Sequence, residues 1–204
     1  MGRRYFCGGM FIFNAMNSNL MINLDEGEML ELWKKRLRLL PVRRDCSIER
    51  DDGIDVDEVL LLDIREWYAQ LLATGKVAWL PVDDLHSEVS CDVDDEGVVT
   101  AMLPPSCVRP VEWRLKGWEC SVVQFFQPGS LKAMCQRNVY LRGDVCSPVA
   151  VLHDDRLMLY SVEPGEAAEV VKARCVVRPA DGSYRFSEAA MSTMHDYLRK
   201  TYST

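Results

Sequence analysis

Cysteine and histidine carry most of the chemistry this chain could offer, and their spacing sets it out in no recognised pattern. Cysteines stand at 7, 46, 91, 107, 120, 135, 146 and 175, and histidines at 86, 153 and 195. A thiolate nucleophile needs a base within hydrogen-bond reach, and that base needs an acid to orient it. Each histidine has aspartate beside it in sequence: Asp83 and Asp84 before His86, Asp154 and Asp155 after His153, and Asp196 after His195. No G-x-S-x-G or equivalent frame sets a nucleophile next to any of them. Surface or structural roles are the expectation for all three, and the chain is not expected to be an enzyme. An enzyme with a cysteine or histidine nucleophile is the lesser alternative.

Metal and nucleotide chemistry lack their patterns too. No two cysteines have C-x-x-C spacing, and no histidine completes a zinc-finger spacing. Cys107, Cys120, Cys146 and Cys175 lie in or beside apolar, strand-like runs, where a free thiol behaves as a small hydrophobe. Reduced, buried thiols are expected, with disulfides or a metal site as lesser alternatives. Asp51, Asp52, Asp55 and Asp57 are dense enough to suggest calcium, but the D-x-[DN]-x-[DN]-G spacing and its closing glutamate are absent. Phosphate-binding glycine loops are absent as well. No cofactor is expected.

One constellation is left. Arg109, Arg114, Arg137 and Arg142 interleave with Trp113, Trp118 and Tyr140. Basic residues among aromatics can bind single-stranded nucleic acid, but a net charge of −7 weighs against a phosphate partner. Arginine, tryptophan and tyrosine are also enriched at protein interfaces. Alternation over 108–116 gives a competing reading, in which the tryptophans are core. Arg109, Trp113, Trp118, Arg137, Tyr140 and Arg142 are therefore the candidate protein-contact residues, with no nucleic-acid sequence recognition expected.

These residues must be positioned by the elements around them. The 204 residues are 48% apolar, enough for a core, and no apolar run reaches a membrane span. Residues 1–22 read as a disordered extension or a mis-assigned start, since Met10, Met16 and Met21 could each begin the chain. Asp25 and Glu28 resemble a capping box, opening a helix with Met29, Trp33, Leu37 and Leu40 on one stripe, stopped by Pro41. Asp55 and Glu58 open a second helix to about Ala73, apolar on several sides at Val59–Leu62, with Thr74-Gly75 as its stop. From Val77 the period becomes two. Strands are predicted over 77–82, 87–93, 97–103, 108–116, 119–126, 148–153, 156–162, 168–178 and 183–186. Ser130 caps a short helix among them, and Ser187 caps a last one bearing Ala190, Met191, Met194 and Leu198. The order predicts an α+β fold: helical over 23–75, an antiparallel β region over 76–186 with one inserted helix, and a C-terminal helix over 187–202, all in a single domain of residues 23–204.

The stretch 103–161 also carries a family resemblance. Leu103-Pro104-Pro105-Ser106-Cys107-Val108-Arg109 fits a strand opening of the type L-P-x-x-h-x-R, with h apolar. There follow a strand ending in Gly117-Trp118, one running to Phe125-Phe126, and a short helix ending Gln136-Arg137-Asn138-Val139-Tyr140. Arg142-Gly143 comes next, and Pro148-Val149 leads into a hairpin whose second strand holds Leu157-Met158-Leu159-Tyr160. This order resembles the head-to-tail adaptor (ring or tubular tail) proteins of short-tailed and crAss-like bacteriophages, over about a third of the chain. The resemblance implies a helical core drawn from both chain ends with a β region between. It implies copies that assemble into a ring beneath a portal, with portal and tail proteins as partners. It implies no catalytic residue, and a location in the cytoplasm during assembly and then in the virion. The alternative is a bacterial α+β domain that binds a ligand or partner without catalysis.

Overall fold

Helix starts in this chain are set by acids. In the computed structural model, which describes residues 20–37, 55–161 and 167–202, the Asp25 carboxylate accepts from the Glu28 N–H at 2.7 Å. Glu28 reaches back to accept from the Asp25 N–H at 3.0 Å. This reciprocal cap opens α1 (Glu26–Leu37), with acids in its first turn and Lys34, Lys35 and Arg36 in its last, as the helix dipole favours. The predicted stop at Leu40 and Pro41 lies outside the described residues. Asp55 caps α2 (Val56–Thr74) by accepting from the Asp57 N–H at 2.8 Å, while Glu58 makes no return bond. The Gly75 N–H closes α2 on the Leu71 carbonyl at 2.8 Å, where a Cβ would stand only 2.5 Å from that oxygen.

The fold is α+β, built in layers. The first layer holds α1, α2, the ribbon of β1 (Met21–Asp25) with β10 (Ser183–Ser187), and α4 (Met191–Tyr202). Its core is aromatic: Trp33 meets Trp67 at 5.7 Å, Trp67 meets Phe186 at 5.5 Å, and Tyr68 meets Tyr184 at 5.1 Å. All three pairs are edge-on, the geometry that ring quadrupoles favour. The second layer is a sheet ordered β2 (Val82–Asp84), β9 (Val170–Val177), β5 (Cys107–Leu115). Val108, Val111 and Val176 face the helices, while Trp113, Leu115, Ala173 and Cys175 face the other way. The third layer is a five-stranded sheet: β3 (Ser90–Val93), β4 (Val99–Met102), β8 (Arg156–Tyr160), β7 (Val149–His153), β6 (Phe125–Phe126). Strand alternation sends Val99, Ala101, Leu157 and Leu159 toward Trp113, and Val149, Val151 and Tyr160 to the far side. There α3 (Leu131–Cys135) closes the stack through Ala133.

Several expectations are corrected. Met21 and Ile22 belong to β1, paired with Ser187 and Phe186, so the ordered fold reaches into the predicted extension. Ile22 and Leu24 pack on the aromatic core, which a strand allows and a helix start would not. Residues Val77–Trp79 form a 3-10 turn and not a strand: the Trp79 and Leu80 N–H groups bond back to the Lys76 and Val77 carbonyls at 2.9 and 3.1 Å, and strand pairing begins only at β2. Over 119–126 only Val122, bridging Trp113, and the two residues of β6 pair with a sheet. β6 runs parallel to β7, so the β region is mixed and not wholly antiparallel. Ser187 makes no capping bond; its buried hydroxyl has no hydrogen-bond partner among the described residues, and a 3-10 turn at 188–190 leads into α4. Among the described residues no helix is long and apolar enough to cross a membrane.

Candidate protein-contact site

Within this frame the connection from α3 to β7 is tied from inside and left apolar outside. The Ala133 N–H donates to Ser130 Oγ at 3.3 Å, and that hydroxyl donates to the Gln127 carbonyl at 2.7 Å. One turn later Gln136 is wholly buried. Its amide donates to the Lys132 carbonyl at 3.0 Å, and its oxygen accepts from the Gly143 N–H at 2.8 Å. Both ends of its amide are thereby satisfied, as burial requires. Gly143 is held so close that a Cβ would stand 2.9 Å from the Ser147 carbonyl. Arg142 completes the tie. Its Nε donates to the Gln136 carbonyl at 3.1 Å and Nη1 to the Glu96 carbonyl at 2.7 Å, and its guanidinium lies 5.8 Å from the Tyr160 ring centre.

What this tying presents to solvent is unusual. Leu131 is 77% exposed, Met134 56%, Val139 73%, Tyr140 95% and Leu141 57%. Full burial of such a side chain supplies roughly 1.5–3 kcal/mol, of which these forgo a half or more. Scattered apolar exposure is ordinary, but here five such side chains fall within the eleven residues 131–141. Asn138 fixes the tip, its side-chain Oδ1 accepting from the Tyr140 N–H at 3.0 Å.

Beside this surface lies a cavity of about 610 Å³, walled by Arg137, Arg142, His153, Tyr160, Val151 and Met158. Arg137 forms no side-chain hydrogen bond or ion pair with any described residue. Glu96 on the rim pairs with Arg142 at 3.4 Å. Asp94 accepts from the Glu96 and Val98 N–H groups at 2.9 and 2.8 Å. Burial pushes the Tyr160 phenol up, against the pull of Arg142 and Arg137. His153 Nδ1 lies 3.3 Å from the Asp154 carboxylate, and among the described residues that line the cavity there is no serine, threonine or cysteine. The cavity offers recognition: a cation, an aromatic wall and an apolar floor.

The six candidate residues separate. Arg137 and Arg142 come together at the cavity, and Tyr140 lies on the same connection with its side chain in solvent. Trp113 and Trp118 do not: both are buried, Trp113 between the two sheets and Trp118 donating its indole N–H to the Ser161 carbonyl at 3.3 Å. They offer no face to a partner, which corrects their place among the contact residues. Arg109 lies elsewhere, donating through Nη2 to the Gly75 carbonyl at the end of α2. Burial holds its guanidinium below the ordinary arginine value. Arg114 is structural as well, its guanidinium donating twice to the Trp118 carbonyl at 2.8 and 3.0 Å.

The other reactive groups stay apart from this site. His86 Nδ1 stands 3.2 Å from Asp84 Oδ1. Burial would raise the Asp84 carboxyl, but the Ala173 and His86 N–H groups hold it below its usual value. The described cysteines are free thiols; Cys7 and Cys46 lie outside the described residues. Cys175 is buried as expected, but Cys120 and Cys146 are exposed: 119–121 lies outside the named strands, and Cys146 sits in the turn at Asp144 that precedes β7. A second cavity, about 670 Å³, lies between α2 and β10 around the Arg65–Glu26 ion pair of 2.6 Å.

Sequence reasoning found the arginines and Tyr140 from residue type alone. It missed Gln136 and Glu96, the partners that hold Arg142, and it missed Leu131, Met134, Val139 and Leu141. Nothing in an apolar triplet such as Val139-Tyr140-Leu141 distinguishes an exposed loop from core. No family model matches this chain, and no match was found among curated proteins or solved structures.

Proposed function

We propose that this chain is a non-enzymatic assembly subunit, a head-to-tail adaptor of a tailed bacteriophage that takes its place in a ring beneath the portal. The observation that carries this reading is the exposed apolar run over 131–141 on a connection rigidified by Gln136 and Arg142. A buried glutamine and a three-bonded arginine give the loop a fixed shape, and a preformed surface associates without an ordering cost. The run falls inside the stretch that carries the adaptor resemblance, which supports the finer reading. Portal and tail proteins are the partners on this view, and the chain passes from the cytoplasm into the virion.

The first test is the DNA that flanks the gene. Portal, large-terminase and capsid genes are expected alongside it, and metabolic or regulatory neighbours would refute the adaptor reading. The second is direct. The full chain, mixed with the portal encoded beside it, is expected to co-sediment as a ring-bearing complex. A folded chain that leaves the portal bare refutes the proposal. The cavity beside Arg137 favours a second reading, a ligand- or partner-binding domain outside any virion. Saturable binding of one small molecule to a monomer, displaced by Arg137→Glu, would select it.

A further inference from the structure

We infer that the apolar run over 131–141 is a self-contact, and that its counterpart is the outer stripe of α2 on the next copy of the same chain. The inference rests on the assembly reading above and names the partner of that surface.

Four observations lead to it. First, α2 has an apolar stripe of its own that faces solvent: Leu62 is 63% exposed and Val59 37%. The inner side of the same helix buries Leu60, Ile64, Trp67, Leu71 and Leu72. Leu62 thus stands on the side turned away from the core.

Second, the two segments differ in charge, although Asp94 and Glu96 share the cavity that Arg137 lines. The segment 131–141 holds Lys132 and Arg137 and no acid, whereas α2 sets Asp57, Glu58, Asp63 and Glu66 against Arg65 alone. Most of these α2 charges are engaged within the chain. Lys34 holds Asp57 at 2.8 Å, the Tyr202 hydroxyl binds Asp63, and Glu26 holds Arg65 at 2.6 Å. Glu58 has no side-chain partner among the described residues. It lies one turn from Leu62, on the same stripe. Among the described residues, Arg137 and Glu58 are therefore a cation and an anion without an ion-pair partner, Arg137 on the segment that exposes Leu131 and Leu141 and Glu58 on the stripe of Leu62.

Third, the two surfaces lie at opposite ends of the layer stack. α2 covers the helix-facing side of the β2–β9–β5 sheet, and α3 covers the outer side of the β3–β4–β8–β7–β6 sheet. Two whole sheets and the core around Trp113 separate them. One copy cannot bring them together, but two copies stacked in the same sense can. Fourth, a contact between two different patches of one chain is heterologous, and a heterologous contact propagates into a ring or an open filament and does not stop at a dimer.

The test uses the full chain and two charge reversals, Arg137→Glu and Glu58→Arg, followed by sedimentation equilibrium over a concentration series. Circular dichroism confirms that each variant is folded. The wild-type chain is expected to associate beyond a dimer. Each single variant is expected to weaken association about tenfold or more, because like charges then oppose each other across the contact. The decisive arm is the mixture of the two variants. R137E presents acid on both patches and E58R presents base on both, so each repels itself and attracts the other. Mixing is expected to recover association in alternating copies. A wild-type chain that stays monomeric, variants that associate as well as wild type, or a mixture that fails to recover would each overturn the inference. Portal binding by a chain that fails this test would leave the assembly reading standing. Self-association through these faces with no portal binding would do the reverse.

Discussion

Trp113 and Tyr140 are both aromatic members of the candidate set, and replacing each with alanine separates core from contact. Trp113 is fully buried between the two sheets, against Val99, Ala101, Leu157, Leu159 and Cys175. An indole of about 200 Å² at about 25 cal/mol per Å² represents about 5 kcal/mol of transfer free energy. The neighbours are strand residues held by ladders on both sides, so the hole collapses little, and Trp113→Ala is expected to cost about 3–5 kcal/mol. Against a typical net stability of about 5–15 kcal/mol, that loss takes the variant near its unfolding threshold. Tyr140, at 95% exposure, withdraws almost no surface from water within one chain. Tyr140→Ala is expected to stay within about 0.5 kcal/mol of wild type. Urea unfolding followed by far-ultraviolet circular dichroism reads both, with unchanged slopes as the check on two-state behaviour. Equal losses for the two variants, or a stable Trp113→Ala with a destabilised Tyr140→Ala, would refute the assignment of sides on which the contact site depends.

Three further substitutions or titrations probe the scaffold. Gln136→Leu keeps the volume but orphans the half-buried Gly143 N–H, and is expected to cost about 1–3 kcal/mol in thermal or urea unfolding while raising amide exchange over 137–143. Burial pushes the Tyr68 phenol up to about 12, against the opposing bond from the Arg185 N–H, so ultraviolet titration should find one tyrosine ionising about there. A folded value above the unfolded one means that this contribution is fully present below the unfolded value of 10 and is lost as pH rises toward 12, and Tyr68→Phe should flatten the alkaline limb of stability. Glu112 bonds Lys172 at 2.8 Å and Arg174 at 3.3 Å across β5 and β9, and chiefly Lys172 holds its carboxyl below the usual range. Its contribution is present above the ordinary glutamate value and lost as pH falls through the depressed one, so Glu112→Gln should lower the melting temperature at neutral pH and converge with wild type in acid.

Local chemistry was legible in the sequence where a residue and its partner lie within one turn. The Asp25–Glu28 box, the Asp55 cap and the hairpin of β7 and β8 could all be read from a few adjacent residues. What escaped depended on distant strands. Met21–Asp25 became a strand because Ser183–Ser187 is there to pair with it. Residues 119–124 alternate well enough to suggest a strand, but only Val122 finds a partner. The contact site divides in the same way. Residue type flagged Arg137, Tyr140 and Arg142, while burial decided against Trp113 and Trp118, and burial is a property of the whole stack.

The pairing of β1 with β10 also bears on the order in which the chain acquires its shape during synthesis. The hairpins β3–β4 and β7–β8 join neighbours and can close soon after they leave the ribosome. β1, α1 and α2 emerge before the middle strands, whereas Phe186, Met194 and Leu198, which cover their apolar faces, emerge after them. These helices therefore wait for their partner, carrying uncovered tryptophans and an open strand edge while the middle folds. Slow translation of 183–198 would prolong that interval, and a nascent chain stalled before Ser183 would offer α1 and α2 to chaperones.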